Sequence, residues 1–335
     1  MMLADIHFEF WHWLIFISFV IAALAVDLGI FHRKAHAVKI REALAWTAIW
    51  ATLAFLFAAF LFFRGGKKEA VEFVTGYIIE YSLSMDNVFV IALIFSYFRV
   101  PLQYQHRVLF WGILGAFVMR GIMIGAGTAL VYKFHWLLYV MGAFLVISGF
   151  KMAFHGEESA HPERNPVLRL ARKFLPITPD YHGQRFMIRL PVADAKNSEG
   201  GVPVTALAFT PLALVLLAVE TADLIFAVDS IPAIFSVTLN PFIVFTSNVF
   251  AILGLRSLYF VLAGAIAYFR YLRIGLSLVL VFVGLKMLLP LAAQLWPAFE
   301  RIKITTEISL LVVAFIIIAS ILASVIRARF DKGDE

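Results

Sequence analysis

Apolar residues run through this chain in blocks separated by short polar segments. Blocks long enough to cross a hydrocarbon core, about 20 residues each, fall near 12–31, 42–63, 74–98, 108–132, 135–154, 207–228, 241–263, 272–291 and 305–326. A backbone in lipid must satisfy its own hydrogen bonds, so runs of this length predict helices. The pattern therefore predicts an all-α polytopic membrane protein of about nine transmembrane helices. The first block is followed, not preceded, by Lys and Arg and has no small-residue cleavage site, which marks a retained helix instead of a signal peptide.

Polar positions inside the blocks repeat. The stretch GYIIEYSLSMDNVFVIAL (76–93) parallels VETADLIFAVDSIPAIFS (219–236): Glu80 and Asp86 stand six apart, as do Asp223 and Asp229, and Asn87 or Ser230 follows the second acid. Arg120 recurs as Arg256, and SGFKM (148–152) as VGLKM (283–287), at offsets of 143, 136 and 135 residues. Three ordered matches predict an inverted-topology repeat of two three-helix units, because an odd number of helices turns the second copy over. The chain then divides into two N-terminal helices (1–70), repeat 1 (71–155), a cytoplasmic loop (156–206), repeat 2 (207–292), and a last helix with its tail (293–335).

An ionised side chain at the bilayer centre costs about 3 kcal/mol on insertion scales, so five lipid-facing acids would cost roughly 15 kcal/mol. Glu80, Asp86, Glu220, Asp223 and Asp229 must therefore face the interior, paired, protonated or metal-bound. Six residues along a straight helix place two acids about 120° apart. Pro232, and the Ser82, Ser84, Asp86, Asn87 cluster, predict a break in each acid-bearing helix that would aim the acids together and free backbone carbonyls as ligands. Carboxylates with Asn87, Ser230 and Asn248 make a hard oxygen set suited to Mg, Ca or Mn. Arg120 and Arg256 are expected to lock carboxylates or helices, and Lys151 and Lys286, near span ends, to snorkel. Asp27 and the histidines at 7, 12, 32 and 36 read as interfacial, and Met85 as core filler.

Composition agrees with the pattern: 62% of 335 residues are hydrophobic and 15% charged, with a mean hydropathy of +0.90. Eighteen Lys and Arg fall in the loops on one side and six on the other, which predicts the N-terminus outside and the C-terminus in the cytoplasm. The net charge of +6 follows from this bias and anionic lipid, with no nucleic acid partner. There is no cysteine, which removes thiolate ligands, disulfides and thiol redox relays. The loop at 155–206 carries no phosphate loop or nucleophile motif, so neither an enzyme nor a bound cofactor is expected, and its LRLARKF stretch has the pattern of a basic amphipathic helix.

EYSLSMDNVFV, TPDYHGQRF, ETADLIFAVDSIPAIFSVT and PFIVFTSNVFAILGLRSLYF, with DLGIFHRKAH near the start, resemble the TerC/Alx family of bacterial integral membrane proteins across about 27–290. The resemblance implies an inner-membrane protein of manganese homeostasis that exports Mn²⁺, with an association to tellurite resistance. The family's intramembrane acids carry over to Glu80, Asp86, Glu220, Asp223 and Asp229. The alternative is a non-transporting membrane component of a resistance or secretion complex. An acid-lined cavity repels anions and argues against an oxyanion cargo.

Overall fold

The computed structural model describes residues 9–26, 40–154, 165–191, 205–263, 271–296, 299 and 302–331. Asp27, the DLGIFHRKAH segment, and His7, His32 and His36 lie outside them. The described chain runs α1 (Phe10–Val26), α2 (Ile40–Arg64), α3 (Lys67–Tyr97), α4 (Leu102–Lys133), α5 (Leu137–Phe154), α6 (Pro166–Phe174), β1 (Met187–Pro191), β2 (Thr205–Phe209), α7 (Pro211–Phe235), α8 (Pro241–Ala263), α9 (Leu272–Leu295) and α10 (Thr306–Asp331). Eight of these helices are long and apolar enough to cross a membrane, and α1 adds a shorter apolar helix of 17 described residues. The protein is an all-α polytopic membrane protein.

Helix α8 is its axis. Residues 242–259 of α8 are buried throughout, and α2, α3 and α4 pack around the helix. Phenylalanines seal the α1, α2, α3 and α8 contacts: Phe57 lies 5.1 Å from Phe73 and 5.2 Å from Phe250, ring centre to ring centre. Elsewhere, large apolar side chains such as Phe63, Ile122 and Phe315 point outward, the surface that lipid requires.

Both acid-bearing helices are continuous, which corrects the expected breaks. In α3 the Ser82 hydroxyl donates to its own helix at Ile78 O, 2.6 Å away, and Thr75 does the same to Val71 O at 2.6 Å. These hydroxyls bond backward without opening the helix. Pro232 falls in the last turn of α7; it removes the donor that the Val228 carbonyl would otherwise meet, but the helix ends three residues later, and Ser236 N closes the end on Pro232 O at 3.2 Å. Helix α3 stops at Tyr97, where Arg99 takes a left-handed φ of 51° and Val100 N reaches back to Phe95 O at 2.9 Å, a left-handed C-terminal stop.

The partners of α3, α4 and α5 mirror those of α7, α8 and α9. Helix α3 packs on α8 and α4 on α7; α5 packs on α7 and α9 on α3; α5 also packs on α9. The α5–α9 crossing holds two matching contacts. A Cβ built at Gly149 would meet Ser277 O at 2.8 Å, Val281 Cγ2 at 2.7 Å and Val281 N at 3.0 Å. One at Gly284 would meet Gly142 O at 2.6 Å, Val146 Cγ2 at 2.8 Å and Val146 N at 2.9 Å. A shift of 135 residues turns the first set into the second, and the order of contacts makes the two helices antiparallel.

Between α5 and α7, Asn165 caps α6 by accepting from Val167 N and Leu168 N, and β1 pairs antiparallel with β2. The Tyr181 hydroxyl donates to Phe98 O at 2.8 Å, and its burial pushes the phenol above its ordinary range. This small extramembrane unit is thereby tied to the end of α3.

Candidate functional site

Three helices converge on Arg120 of α4, a side chain 1% exposed. From α7, Asp223 takes the guanidinium in a fork, Oδ2 to Nε at 3.2 Å and Oδ1 to NH2 at 2.9 Å. From α3, Glu80 Oε1 accepts from NH1. Ser230 Oγ of α7 and Asn248 Oδ1 of α8 each lie 3.3 Å from the same nitrogen. Ser230 reaches the cluster because seven residues are two turns, which puts it on the face of Asp223. Five oxygens from four residues thus surround one built-in cation, and with both carboxylates ionised the cluster keeps one net negative charge. Glu80 Oε2, Asn248 Nδ2 and, one turn beyond Glu80, Ser84 Oγ are buried without a hydrogen-bond partner among the described residues.

The remaining acids stand apart from this cluster. Glu220, one turn before Asp223, is half-buried, and its carboxylate lies over Gly115, where any Cβ would overlap it. It lines an apolar groove of about 550 Å³ between α4 and α7, together with Trp111, Leu114, Met119 and Met123. Asp229 is half-buried and accepts from Ser148 of α5 at 2.9 Å. Asp86 is half-buried on α3, about 120° around the unbroken helix from Glu80, and Asn87 is buried beside it. Among the described residues, no three His, Asp or Glu side chains are grouped to hold a metal ion.

The expected locking role of Arg120 matches its contacts with Glu80 and Asp223. Lys286, expected to snorkel, is half-buried and interacts electrostatically with Glu72 of α3. Ser148 was not singled out as a partner of Asp229, although it opens the repeated SGFKM stretch. Glu69 and Glu72 went unread because they precede the apolar block; α3 begins at Lys67 and buries both, to 7% and 6% exposure.

The sequence from residue 65 to 332 matches the family described as "Integral membrane protein TerC family". The chain belongs to the TerC family. Among similar TerC relatives, an uncharacterized membrane protein of Myxococcus xanthus is 50% identical over 95% of this chain and 92% of its own length. A Salmonella typhi protein named "Putative membrane-bound redox modulator Alx" is 46% identical over 87% of this chain and 91% of its own. Its namesake in Escherichia coli K12 is 45% identical over 84% and 88%. No solved structure matches significantly.

Proposed function

We propose that this TerC protein carries a divalent metal cation across the bacterial inner membrane, exporting Mn²⁺ by rocking two inverted three-helix units about the central acids. The observation that carries this reading is the oxygen shell around Arg120. A buried cluster of carboxylate, hydroxyl and amide oxygens on three separate helices is the donor chemistry a hard cation takes. Arg120 then acts as a tethered counter-cation that offsets one of the two charges of Glu80 and Asp223 when cargo is absent. The 135-residue match at the α5–α9 crossing supports the inverted units, whose meeting point is where transporters of this kind bind substrate. Manganese, as against Mg or Ca, rests on the family resemblance, as does the outward direction. Displacement of protons from the acids by metal would make the exchange an antiport. Any redox effect of this chain proceeds without a thiol of its own, because it has no cysteine.

One observation favours the rival reading of a non-transporting membrane component: Arg120 already engages both central carboxylates, as a static lock would. Everted vesicles separate the two. Mn²⁺ uptake is followed with and without a pH gradient for the wild type, Asp86→Ala and Asp229→Ala at matched protein levels. The transport reading expects uptake that the gradient changes and both substitutions abolish. Wild-type uptake equal to that of empty vesicles under every gradient sinks it in favour of the static component.

A further inference from the structure

The small unit between α5 and α7 is held against the ends of the spanning helices. Besides the Tyr181 bond to Phe98 O at the end of α3, the Thr210 hydroxyl, at the start of α7, donates to Arg185 O at 2.7 Å. The Arg107 guanidinium of α4 lies 5.5 Å from the centre of the Phe186 ring, and the same ring meets Trp111 of α4 edge-on at 6.5 Å. Trp111 is 42% exposed on the outer surface of α4, and a tryptophan in that setting marks the headgroup level. The unit therefore sits at the membrane surface, on the side where α3 ends and α4 and α7 begin.

Helix α6 of this unit divides into two arcs. At about 100° per residue, Val167, Leu168, Leu170, Ala171 and Phe174 share an arc of roughly 160°, and Arg169, Arg172 and Lys173 one of roughly 100° on the opposite side. The protein uses only part of the apolar arc. Leu168 and Ala171 are buried in the cluster that holds Leu212 and Val215 of α7, whereas Leu170 and Phe174, one turn apart, are 58% and 70% exposed. Among the described residues of the unit, 165–191 and 205–209, five Lys or Arg stand against one acid, Asp180. An uncovered apolar edge beside a cationic one, at headgroup level, is complementary to an anionic bilayer surface: acyl chains meet the first and phosphates the second. We infer that α6 is an interfacial helix whose Val167, Leu170 and Phe174 edge enters the boundary between headgroups and acyl chains, and whose Arg169 and Lys173 hold anionic phospholipid. Arg172 is engaged within the protein, its guanidinium 5.9 Å from the centre of the Phe98 ring.

The cysteine-free chain allows a direct test. Leu170→Cys and Phe174→Cys probe the outward edge, and His182→Cys, at an exposed position elsewhere in the unit, is the control. Each variant of the whole chain carries a polarity-sensitive fluorophore and is reconstituted into vesicles of phosphatidylcholine with or without phosphatidylglycerol; brominated versions of either lipid serve as contact quenchers. The labels on Leu170→Cys and Phe174→Cys should emit at shorter wavelength than the control and be quenched several-fold more strongly, brominated phosphatidylglycerol acting above brominated phosphatidylcholine. Adding Arg169→Gln and Lys173→Gln to Leu170→Cys should remove that preference, and high salt should weaken it in the unaltered background. Emission characteristic of water at both positions in every vesicle overturns the proposal. Short-wavelength emission without bromine quenching also overturns it, because the edge is then covered by protein. Equal quenching by the two lipids, unchanged by the glutamine pair, overturns the anionic contact. Both cysteine positions on α6 are exposed, so neither replacement opens a cavity in the core.

Discussion

Arg120 is the residue on which the centre of the molecule depends. Its guanidinium is buried and shared by Glu80, Asp223, Ser230 and Asn248, and removing one partner of a buried ion pair leaves uncompensated charge. Arg120→Ala is expected to cost about 3–5 kcal/mol, measured as a fall in the thermal midpoint of the detergent-solubilised protein. Adding Glu80→Gln should recover part of that loss, because the orphaned charge goes with it; a wild-type midpoint for Arg120→Ala would show that Arg120 is no lock. Asp229 is a milder case. Ser148→Ala removes one hydrogen bond to a half-buried carboxylate, and a loss of roughly 1 kcal/mol is expected, read from the same melting curves.

These charges were visible in the sequence because intramembrane ionisable groups stand out against apolar neighbours. Their grouping was not. Glu80 meets Asp223 only through an arginine 40 residues from one and 103 from the other, and nothing local encodes that meeting.

Among the elements, the α5–α9 crossing makes the sharpest demand on side-chain size. Backbones that approach this closely admit only small residues, the usual basis of helix association in lipid. Gly149→Leu and Gly284→Leu should each destabilise by about 1–3 kcal/mol through overpacking, and by similar amounts, since their surroundings match. Gly125→Ala, with nothing within 4 Å of the added Cβ, should not lower the melting midpoint, since alanine is the better helix former. A large difference between the two leucine variants would argue against equivalent units. The approximate position of the helices followed from the apolar blocks, although α3 begins seven residues before its block at 74–98, and the block at 207–228 opens in β2 while α7 ends seven residues beyond it. The continuity of α3 and α7 did not, because serine, threonine and a late proline are compatible with a broken helix as well as an unbroken one, and the choice depends on what packs outside.

For the whole molecule, the lysine and arginine bias predicts orientation. A fluorescent-protein fusion after Asp331 should mature in the cytoplasm, and a periplasm-active phosphatase inserted between Lys133 and Leu137 should be active. The opposite pair of results would reverse the sidedness of the proposed transport.

Sequence alone determined that this chain lives in a membrane, how many apolar helices it offers, which polar residues they carry, and that two stretches repeat. Hydropathy and spacing are local properties, and lipid enforces them strictly. Tertiary structure alone decided that Arg120 occupies the centre between Glu80 and Asp223, that Asp229 turns to Ser148 and Glu220 to an apolar groove, and that Glu69 and Glu72 are buried in line with Glu80. The direction a side chain faces is set by which helices pack beside it, and that packing joins residues more than a hundred positions apart.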